Sequence, residues 1–388
     1  MMRLAFVRTK AESTVFEQPS NGRLDAEALA RMKINAKAGS SSKSIIWGLQ
    51  QYGVIAACEE WKFWSGAFQS VRARDFSVHL FPCNEELESA ALQAYVVEQG
   101  QPEILWIEGP DYPPYLRQIF DACPQSFKIV YSKDWRPWKI KQLGAYDLCL
   151  VDEAWEAERV RELYPKLHCA VWDKLIDYER GHYPQPGEKR YDICYVAYLR
   201  GRKNHELLFR AMAQLKDRKL SCICVGDDRK GNRAELERLA AELQIDAHFT
   251  GEVSKEEVNQ IINQSRIGVM CSELDAVPRA ILEYMAADVP VLVNAKLLAG
   301  ARYVGPGAGL VKSPEEFHLG LAQLLDHLPS YSPRAYLLEH YSFEKVMAKF
   351  LAILNETKFG AARRLNIPSD ARNIPPLRVV PSPHVATV

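Results

Sequence analysis

The chain has 388 residues, 47% hydrophobic and 25% charged, which is typical of a folded protein and long enough for two domains. Lysine plus arginine equals aspartate plus glutamate, at 49 each, and this zero net charge argues against a general nucleic-acid binder, which would be basic overall. The nine cysteines lie mostly in apolar runs without a Cys-x-x-Cys pair, which is typical of buried thiols in a cytosolic protein.

Short apolar runs alternate with helical patterns along the chain, which predicts parallel sheets covered by helices. In the first half, the predicted strands are residues 4–7, 54–57, 77–81, 104–107, 128–131 and 148–151. In the second half, they are residues 193–197, 221–225, 247–250, 267–271, 291–294 and 309–312. The predicted fold class is α/β, with two Rossmann-like, doubly wound parallel-sheet domains that face each other across a cleft.

Proline, glycine and charged residues cluster before the second series of strands. This cluster predicts a hinge over 176–190, between an N-terminal domain of residues 1–175 and a C-terminal domain of residues 191–340. A helix over 341–357 is expected to cross back to the first domain. The proline-rich tail over 358–388 has little periodicity and is predicted to be disordered.

One segment of the second half combines the elements of an anion-binding site. Residues 272–294 read Ser-Glu-Leu-Asp-Ala-Val-Pro-Arg-Ala-Ile-Leu-Glu-Tyr-Met-Ala-Ala-Asp-Val-Pro-Val-Leu-Val-Asn. A predicted strand is followed by a short loop and by a helix that begins near Pro278, which Asp275 is placed to cap. Because a helix N-terminus presents N–H groups and a partial positive charge, this loop suits an anionic ligand. Glu283 lies further along the same helix.

This segment resembles the signature of the group 1 (family 4) retaining glycosyltransferases. There, Ser-x-x-Glu-Gly-x-Pro is followed after four residues by Glu-Ala-Met-Ala and then by Pro-Val. The residues that match are Ser272, Pro278, Glu283, Met285, Ala286, Pro290 and Val291. Asp275 occupies the position of the first glutamate of this signature, and Ala276 and Asp288 replace glycines of the family. The resemblance implies that Asp275 contacts the donor sugar and that Glu283 hydrogen-bonds the ribose. It also places Ala276 and Val277 against the donor.

The resemblance continues upstream in Tyr195-Val-Ala-Tyr-Leu-Arg-Gly-Arg-Lys, which matches a strand and the loop that opens the next helix. Lys203 falls on the lysine that binds the donor diphosphate. The family arginine falls on Tyr198, so Arg200 or Arg202 is expected to supply the second cation. Such cations are needed because the leaving diphosphate gains negative charge as the glycosidic bond breaks.

Two further features concern the nucleotide and the metal. Gly251 and Val253, in Phe249-Thr-Gly-Glu-Val, fall where the nucleotide base rests in the family. The chain has no Asp-x-Asp pair, and its nine histidines show no ligand spacing. The sequence therefore predicts no metal site and no cofactor, with the nucleotide-diphosphate sugar as a substrate and the helix dipole and cations in the place of a metal.

The first domain departs further from the family. Residues 8–38 are mostly polar and are interpreted as a long insertion or mobile loop. Lys133 stands where the family often carries a histidine after the fifth strand. Glu108 and Asp111 follow the fourth strand and are further candidates for the acceptor side. The acceptor class stays open among a saccharide, a lipid-linked sugar and a small molecule.

The resemblance implies a metal-independent, hexosyl-type glycosyltransferase that retains the anomeric configuration. Two alternatives remain: a sugar-nucleotide 2-epimerase on the same fold, and a degenerate, non-catalytic binder of carbohydrate or nucleotide. The replacements at Tyr198, Asp275 and Lys133 favour the second of these.

Two aromatic-basic stretches, residues 61–64 and 133–141, are compatible with contact to a membrane surface, with sugar stacking or with packed surface. The first apolar run is too short for a signal peptide. The predicted localisation is cytoplasmic, extending to the inner face of the membrane if these stretches contact it.

Overall fold

The computed structural model describes residues 2–9, 15–16, 41–73, 76–133, 136–228, 231–276, 278–363 and 365. Within these residues the chain divides into two compact units. The first runs to Leu175 and resumes at Val346, and the second extends from Ile176 to Lys345. The predicted hinge therefore groups with the second unit. Most of the predicted insertion and the tail from residue 366 lie outside the described residues.

The first unit is built on one sheet. Its strands are β1 (Arg3–Arg8), β2 (Val15–Phe16), β3 (Ala57–Trp64), β4 (Gln69–Ala73), β5 (Phe76–Pro82), β6 (Ile104–Glu108), β7 (Phe127–Tyr131), β8 (Leu148–Val151) and β9 (His168–Val171). Their order is β4-β5-β3-β1-β6-β7-β8-β9, with β2 beside β3. Strand β4 is antiparallel to β5, and the other pairs are parallel. The helices are α1 (Ser41–Gln51), α2 (Ala90–Gln99), α3 (Pro114–Ala122) and α4 (Ala154–Leu163).

The hydrophobic pattern explains these elements. Strands β6, β7 and β8 are buried along their whole length, as expected of parallel strands covered on both faces. Helix α3 starts with Pro114, whose missing N–H is not needed in a first turn. It buries one stripe of apolar side chains against the sheet: Tyr115, Leu116, Ile119 and Phe120.

The predicted strand over 54–57 is wrong, because the strand β3 begins only at Ala57. Glu59 and Glu60 interrupt the apolar pattern, so the sequence did not indicate a strand there. Both side chains are buried in the fold. Lys43 pairs with Glu60 at 2.6 Å, which compensates the burial of both charges.

The suggestion that residues 61–64 contact a membrane is also wrong. Trp61, Phe63 and Trp64 are at most 1% exposed, because they form part of the hydrophobic core. Within the described residues, no helix is long and apolar enough to span a membrane.

The second unit has a parallel sheet of its own. Its strands are β10 (Tyr191–Val196), β11 (Ser221–Val225), β12 (Asp246–Gly251), β13 (Ser265–Met270), β14 (Val291–Asn294) and β15 (Gly309–Lys312), in the order β12-β11-β10-β13-β14-β15. The helices are α5 (His205–Ala213), α6 (Arg233–Glu242), α7 (Lys255–Asn263), α8 (Arg279–Ala286), α9 (Phe317–Asp326) and α10 (Pro333–Tyr341). A capping box of Ser254 and Glu257 starts α7.

Two helices end the described chain. Helix α11 (Phe343–Glu356) begins in the second unit and enters the first at Val346. There Lys349 contacts Asp173 at 2.7 Å, and the Phe350 ring lies 5.6 Å from that of Trp106. Helix α12 spans Lys358–Arg363, so the disorder predicted from residue 358 is wrong for these six residues.

A close contact between β13 and α8 supports a stability prediction. The ring of Tyr284 covers Gly268, and its hydroxyl accepts a hydrogen bond from the N–H of Val196 at 2.7 Å. A Cβ at Gly268 would lie 2.4 Å from Tyr284 Cγ. We expect Gly268→Ala to lower the free energy of unfolding by about 1–3 kcal/mol through overpacking, measured by thermal or urea unfolding.

Gly144→Ala is the matched control, since its Cβ would meet only Tyr164 at an ordinary 3.9 Å. Equal stability of the two variants would contradict the overpacking argument.

Candidate functional site

The sheet of the second unit changes its direction of winding between β10 and β13. Strands β11 and β12 follow β10 on one side, and β14 and β15 follow β13 on the other. A crevice opens at the carboxyl ends of the strands at such a point, and ligands of open α/β sheets bind there. A cavity of about 550 Å³ lies at this position, lined by the ends of β10 and β13, the turn before α5 and the start of α8.

The structure brings most of the predicted donor-site residues together. Those that line this cavity are Arg202, Lys203, Gly251, Val253, Asp275, Ala276 and Glu283. Of the two arginines proposed as the second cation, Arg202 lines the cavity, whereas Arg200 packs with its guanidinium carbon 5.2 Å from the ring centre of Tyr198. Val277 lies outside the described residues.

Lys203 is held in a tight turn between β10 and α5. Residues Gly201–Lys203 form one turn of 3₁₀ helix, and Asn204 follows at a φ of 52° and caps α5 through its side chain. The hydroxyl of Tyr195 donates to the carbonyl of Lys203 at 2.5 Å, and that of Ser272 donates to the carbonyl of Arg202 at 2.9 Å. These hydrogen bonds fix the backbone of the turn, so the ammonium group of Lys203 has a defined place in the cavity.

Asp275 forms an ion pair with Lys203 instead of capping a helix. Its Oδ2 atom accepts a hydrogen bond from the Lys203 ammonium group, and the two side chains are only 12% and 10% exposed. The expected cap on α8 does not form: Pro278 occupies the N-cap position without a side-chain hydrogen bond. The positive end of the α8 dipole therefore reaches the cavity without a capping carboxylate.

Glu283 lies in the second turn of α8, and its side chain is 14% exposed. Its Oε1 atom is 3.6 Å from Nε2 of His182 and 3.6 Å from a terminal nitrogen of Arg279. Burial lowers the pKa of His182 below its ordinary value, although the carboxylate of Glu283 acts in the opposite direction. His182 was missed in the sequence, because it carries no motif and lies in the predicted hinge.

Two glycines, at the ends of β11 and β12, also line the cavity. Gly251 has a φ of 76°, which a residue with a side chain rarely adopts. Gly226 approaches β10 so closely that a Cβ would lie 2.1 Å from the carbonyl oxygen of Ala197. Asp227 and Glu252, each next to one of these glycines, also line the cavity and were not singled out in the sequence.

In the first unit, Glu108 is surrounded by positive charge at the carboxyl ends of β1 and β6. It is 4% exposed, and its Oε1 atom lies 2.5 Å from Lys133 and 3.0 Å from Arg8. Ser42 donates a hydrogen bond to its Oε2 atom at 2.6 Å. Although burial opposes ionisation, these partners, Lys133 above all, hold the pKa of Glu108 below its ordinary value. Asp111 instead pairs with Lys141 at 3.1 Å.

The described residues contain no group of three or more histidine, cysteine, aspartate or glutamate side chains that could hold a metal ion.

Residues 183–331 match the family profile described as "Glycosyl transferases group 1". No curated protein matches the chain by sequence.

Solved structures match nearly the whole chain. Sucrose-phosphate synthase from Thermosynechococcus elongatus has a TM-score of 0.64 and 12% identity, covering 92% of this chain and 99% of its own. The lipopolysaccharide outer core galactosyltransferase WaaB has a TM-score of 0.63 and 14% identity, covering 94% of this chain and 100% of its own. Anabaena HepE in complex with UDP and glucose has a TM-score of 0.61 and 13% identity, covering 92% of this chain and 100% of its own.

These matches show the fold that the sequence predicted, two Rossmann-like domains of the GT-B type. The cavity lies within the residues that the family profile covers. Residues 183–331 are therefore similar to the group 1 glycosyltransferases, within a chain that has the GT-B fold.

Proposed function

We propose that this chain is a hexosyl-type glycosyltransferase that moves a sugar from a nucleotide-diphosphate donor to an acceptor, with retention of configuration and without a metal. The observation that carries the proposal is the convergence of Arg202, Lys203, Asp275 and Glu283 in one cavity, beside the start of α8. This set offers cations for a diphosphate and carboxylates for sugar hydroxyls.

In the proposed reaction, the bond between the anomeric carbon and the diphosphate breaks toward an oxocarbenium-like state. The electron pair leaves with the diphosphate, so negative charge grows beside Lys203 and Arg202. Groups that stabilise this developing charge accelerate the step. In a metal-independent enzyme, the two cations and the α8 dipole take the place of a divalent ion. No nucleophile of the enzyme is invoked: an acceptor hydroxyl forms the new bond to the anomeric carbon on the face that the diphosphate leaves, and its proton passes to an oxygen of the departing diphosphate.

The charged side chains that line the cavity are more often negative than positive. The described lining residues include four carboxylates, of Asp227, Glu252, Asp275 and Glu283, against three cationic side chains, of Arg202, Lys203 and Arg279. A diphosphate would be repelled from this set unless Lys203 turned from Asp275 to the phosphate. We propose that this exchange occurs on binding, and that Asp275 then accepts hydrogen bonds from the donor sugar.

For the acceptor, we propose the carboxyl edge of the first sheet, where Lys133 and Asp111 are partly exposed beside the buried Glu108. The structural relatives include proteins described in complex with UDP, with glucose or with GlcNAc. We therefore propose a UDP-sugar as the first donor class to test, within a panel that also includes ADP- and GDP-sugars.

The diphosphate site predicts the effect of losing its lysine. Lys203→Ala removes a charge-assisted hydrogen bond worth roughly 1.5–3 kcal/mol, so donor affinity or turnover should fall by about ten-fold to over a hundred-fold. Steady-state kinetics and calorimetry would measure the loss. Lys216→Ala, on the exposed surface of the same unit, is the control and should behave as wild type. Wild-type kinetics in a folded Lys203→Ala variant would remove this residue from the site.

The two carboxylates should have separable roles. Glu283→Ala should weaken the binding of the bare nucleoside diphosphate about ten-fold, because it removes contacts to the ribose. Asp275→Asn should keep or raise that affinity, because it frees Lys203 for the phosphate, and should lower turnover with the full donor. Calorimetry with the nucleotide and kinetics with the donor would separate these effects. Equal losses of nucleotide affinity in both variants would contradict the division of roles.

The absence of a metal from the proposed step predicts that activity survives a chelator. Transfer or donor hydrolysis, assayed over the donor panel, should keep at least about half of its rate in excess EDTA, since cations of the protein stabilise the leaving group. Loss of activity that a divalent ion restores would refute this account. Nucleotide binding without any turnover would favour the non-catalytic binder instead.

A further inference from the structure

Residues 176–190, here called the linker segment, are fastened to α7 by two buried asparagines. Asn259 accepts a hydrogen bond from the N–H of Tyr183 at 3.2 Å. Asn263 accepts one from the N–H of Gln185 at 2.7 Å and donates to the carbonyl of Tyr183 at 2.9 Å. Because these amides satisfy the backbone as a neighbouring strand would, the linker segment has one defined path along α7.

The start of the linker segment is fixed as well. The N–H of His182 donates to the carbonyl of Asp177 at 3.0 Å and closes a turn. The hydroxyl of Tyr178 accepts a hydrogen bond from the N–H of Phe343 at 2.9 Å, and Arg334 donates to the carbonyl of Tyr178 at 3.1 Å. His182 therefore lies between two anchored stretches, which fix the position of its backbone beside α8.

The ring of His182 faces Glu283, which lines the donor cavity. It is 5% exposed, and its Nε2 atom lies 3.6 Å from Oε1 of Glu283. Its Nδ1 atom is buried and has no hydrogen-bond partner among the described residues. In a neutral ring, the tautomer with the proton on Nε2 is favoured here, since it directs an N–H at the carboxylate and leaves no unpaired N–H on the buried Nδ1 atom.

The two neighbours of Glu283 approach the same oxygen. His182 and Arg279 both lie 3.6 Å from Oε1, beyond hydrogen-bond distance but close enough for electrostatic attraction, and within the described part of the chain neither oxygen of Glu283 makes a hydrogen bond. A carboxylate restrained through one oxygen keeps the other in a fixed direction and retains its lone pairs for a ligand. Such restraint by supporting residues is what keeps a binding group in its productive geometry.

We propose that His182 is a positioning residue for Glu283, holding its Oε1 atom so that Oε2 can accept hydrogen bonds from the ribose hydroxyls of the donor. This inference rests on the proposed function, because it assigns a supporting group to the ribose site of that donor. The linker segment thereby becomes part of nucleotide recognition.

The experiment measures ribose recognition directly. UDP, ADP and GDP are each titrated by calorimetry beside their 2′,3′-dideoxy counterparts, and the ratio of the two dissociation constants reports the contacts to the ribose hydroxyls. The wild type should prefer the ribose form of its nucleotide by about ten-fold or more, and Glu283→Ala should bring the ratio close to one. His182→Leu should lower the ratio about three- to ten-fold.

Three further variants test whether the effect passes through Glu283. His182→Gln places an amide N–H near the position of Nε2 and should restore most of the ratio. The double variant His182→Leu/Glu283→Ala should equal Glu283→Ala alone. His327→Leu, at an exposed histidine of the same unit, is the control and should leave the ratio unchanged. An unfolded fraction lowers the binding stoichiometry and leaves the dissociation constants, and so their ratio, unaffected.

The outcomes separate the inference from the proposed function. If Glu283→Ala abolishes the ribose preference while His182→Leu retains it, the inference is overturned and the donor site stands. Equal losses in the Leu and Gln variants would reduce His182 to a packing role and also overturn it. If none of the three nucleotides binds the wild type, the proposed function fails, and the inference fails with it.

Discussion

The ion pair between Lys203 and Asp275 is the interaction on which the proposed donor site depends. Both groups are largely shielded from water, and a charge in such a place requires a partner. Each group can therefore leave the other only when a ligand supplies a replacement partner, an anion for Lys203 and hydrogen-bond donors for Asp275. A nucleotide-diphosphate sugar offers both, since its phosphates can take the place of the carboxylate and its hydroxyls can satisfy Asp275. In the proposed function, the pair thus couples recognition of the diphosphate to recognition of the sugar.

The fold brings these charges together through the topology of the sheet. Lys203 follows β10 and Asp275 follows β13, and the two strands are parallel neighbours at the point where the winding reverses. Parallel strands end at the same edge, so two loops far apart in sequence meet there. The same rule places Arg8 and Glu108 together in the first unit, after β1 and β6.

Much of this could be predicted from the sequence, because the motif around Asp275 and Glu283 is a local strand-loop-helix pattern. The parallel strands also read as plain apolar runs, as in β6 and β7. Strand β3 was misplaced, since Glu59 and Glu60 look solvent-exposed until their buried partners are known. His182 and the choice of Arg202 over Arg200 depend on contacts between distant or irregular segments, which no local pattern encodes.

The surroundings of two departures from the family motif show how the fold accommodates them, and this bears on whether they abolish activity. Tyr284 stands where the motif has alanine, and Gly268 lies opposite it and leaves room for the ring. Asp288 replaces a glycine at a φ of 60°, a conformation that aspartate tolerates better than most residues, and its carboxylate accepts the N–H of Arg334 at 3.0 Å. Because the fold accommodates Tyr284 and Asp288 while Lys203, Asp275 and Glu283 line one cavity, these two departures are compatible with the proposed donor site.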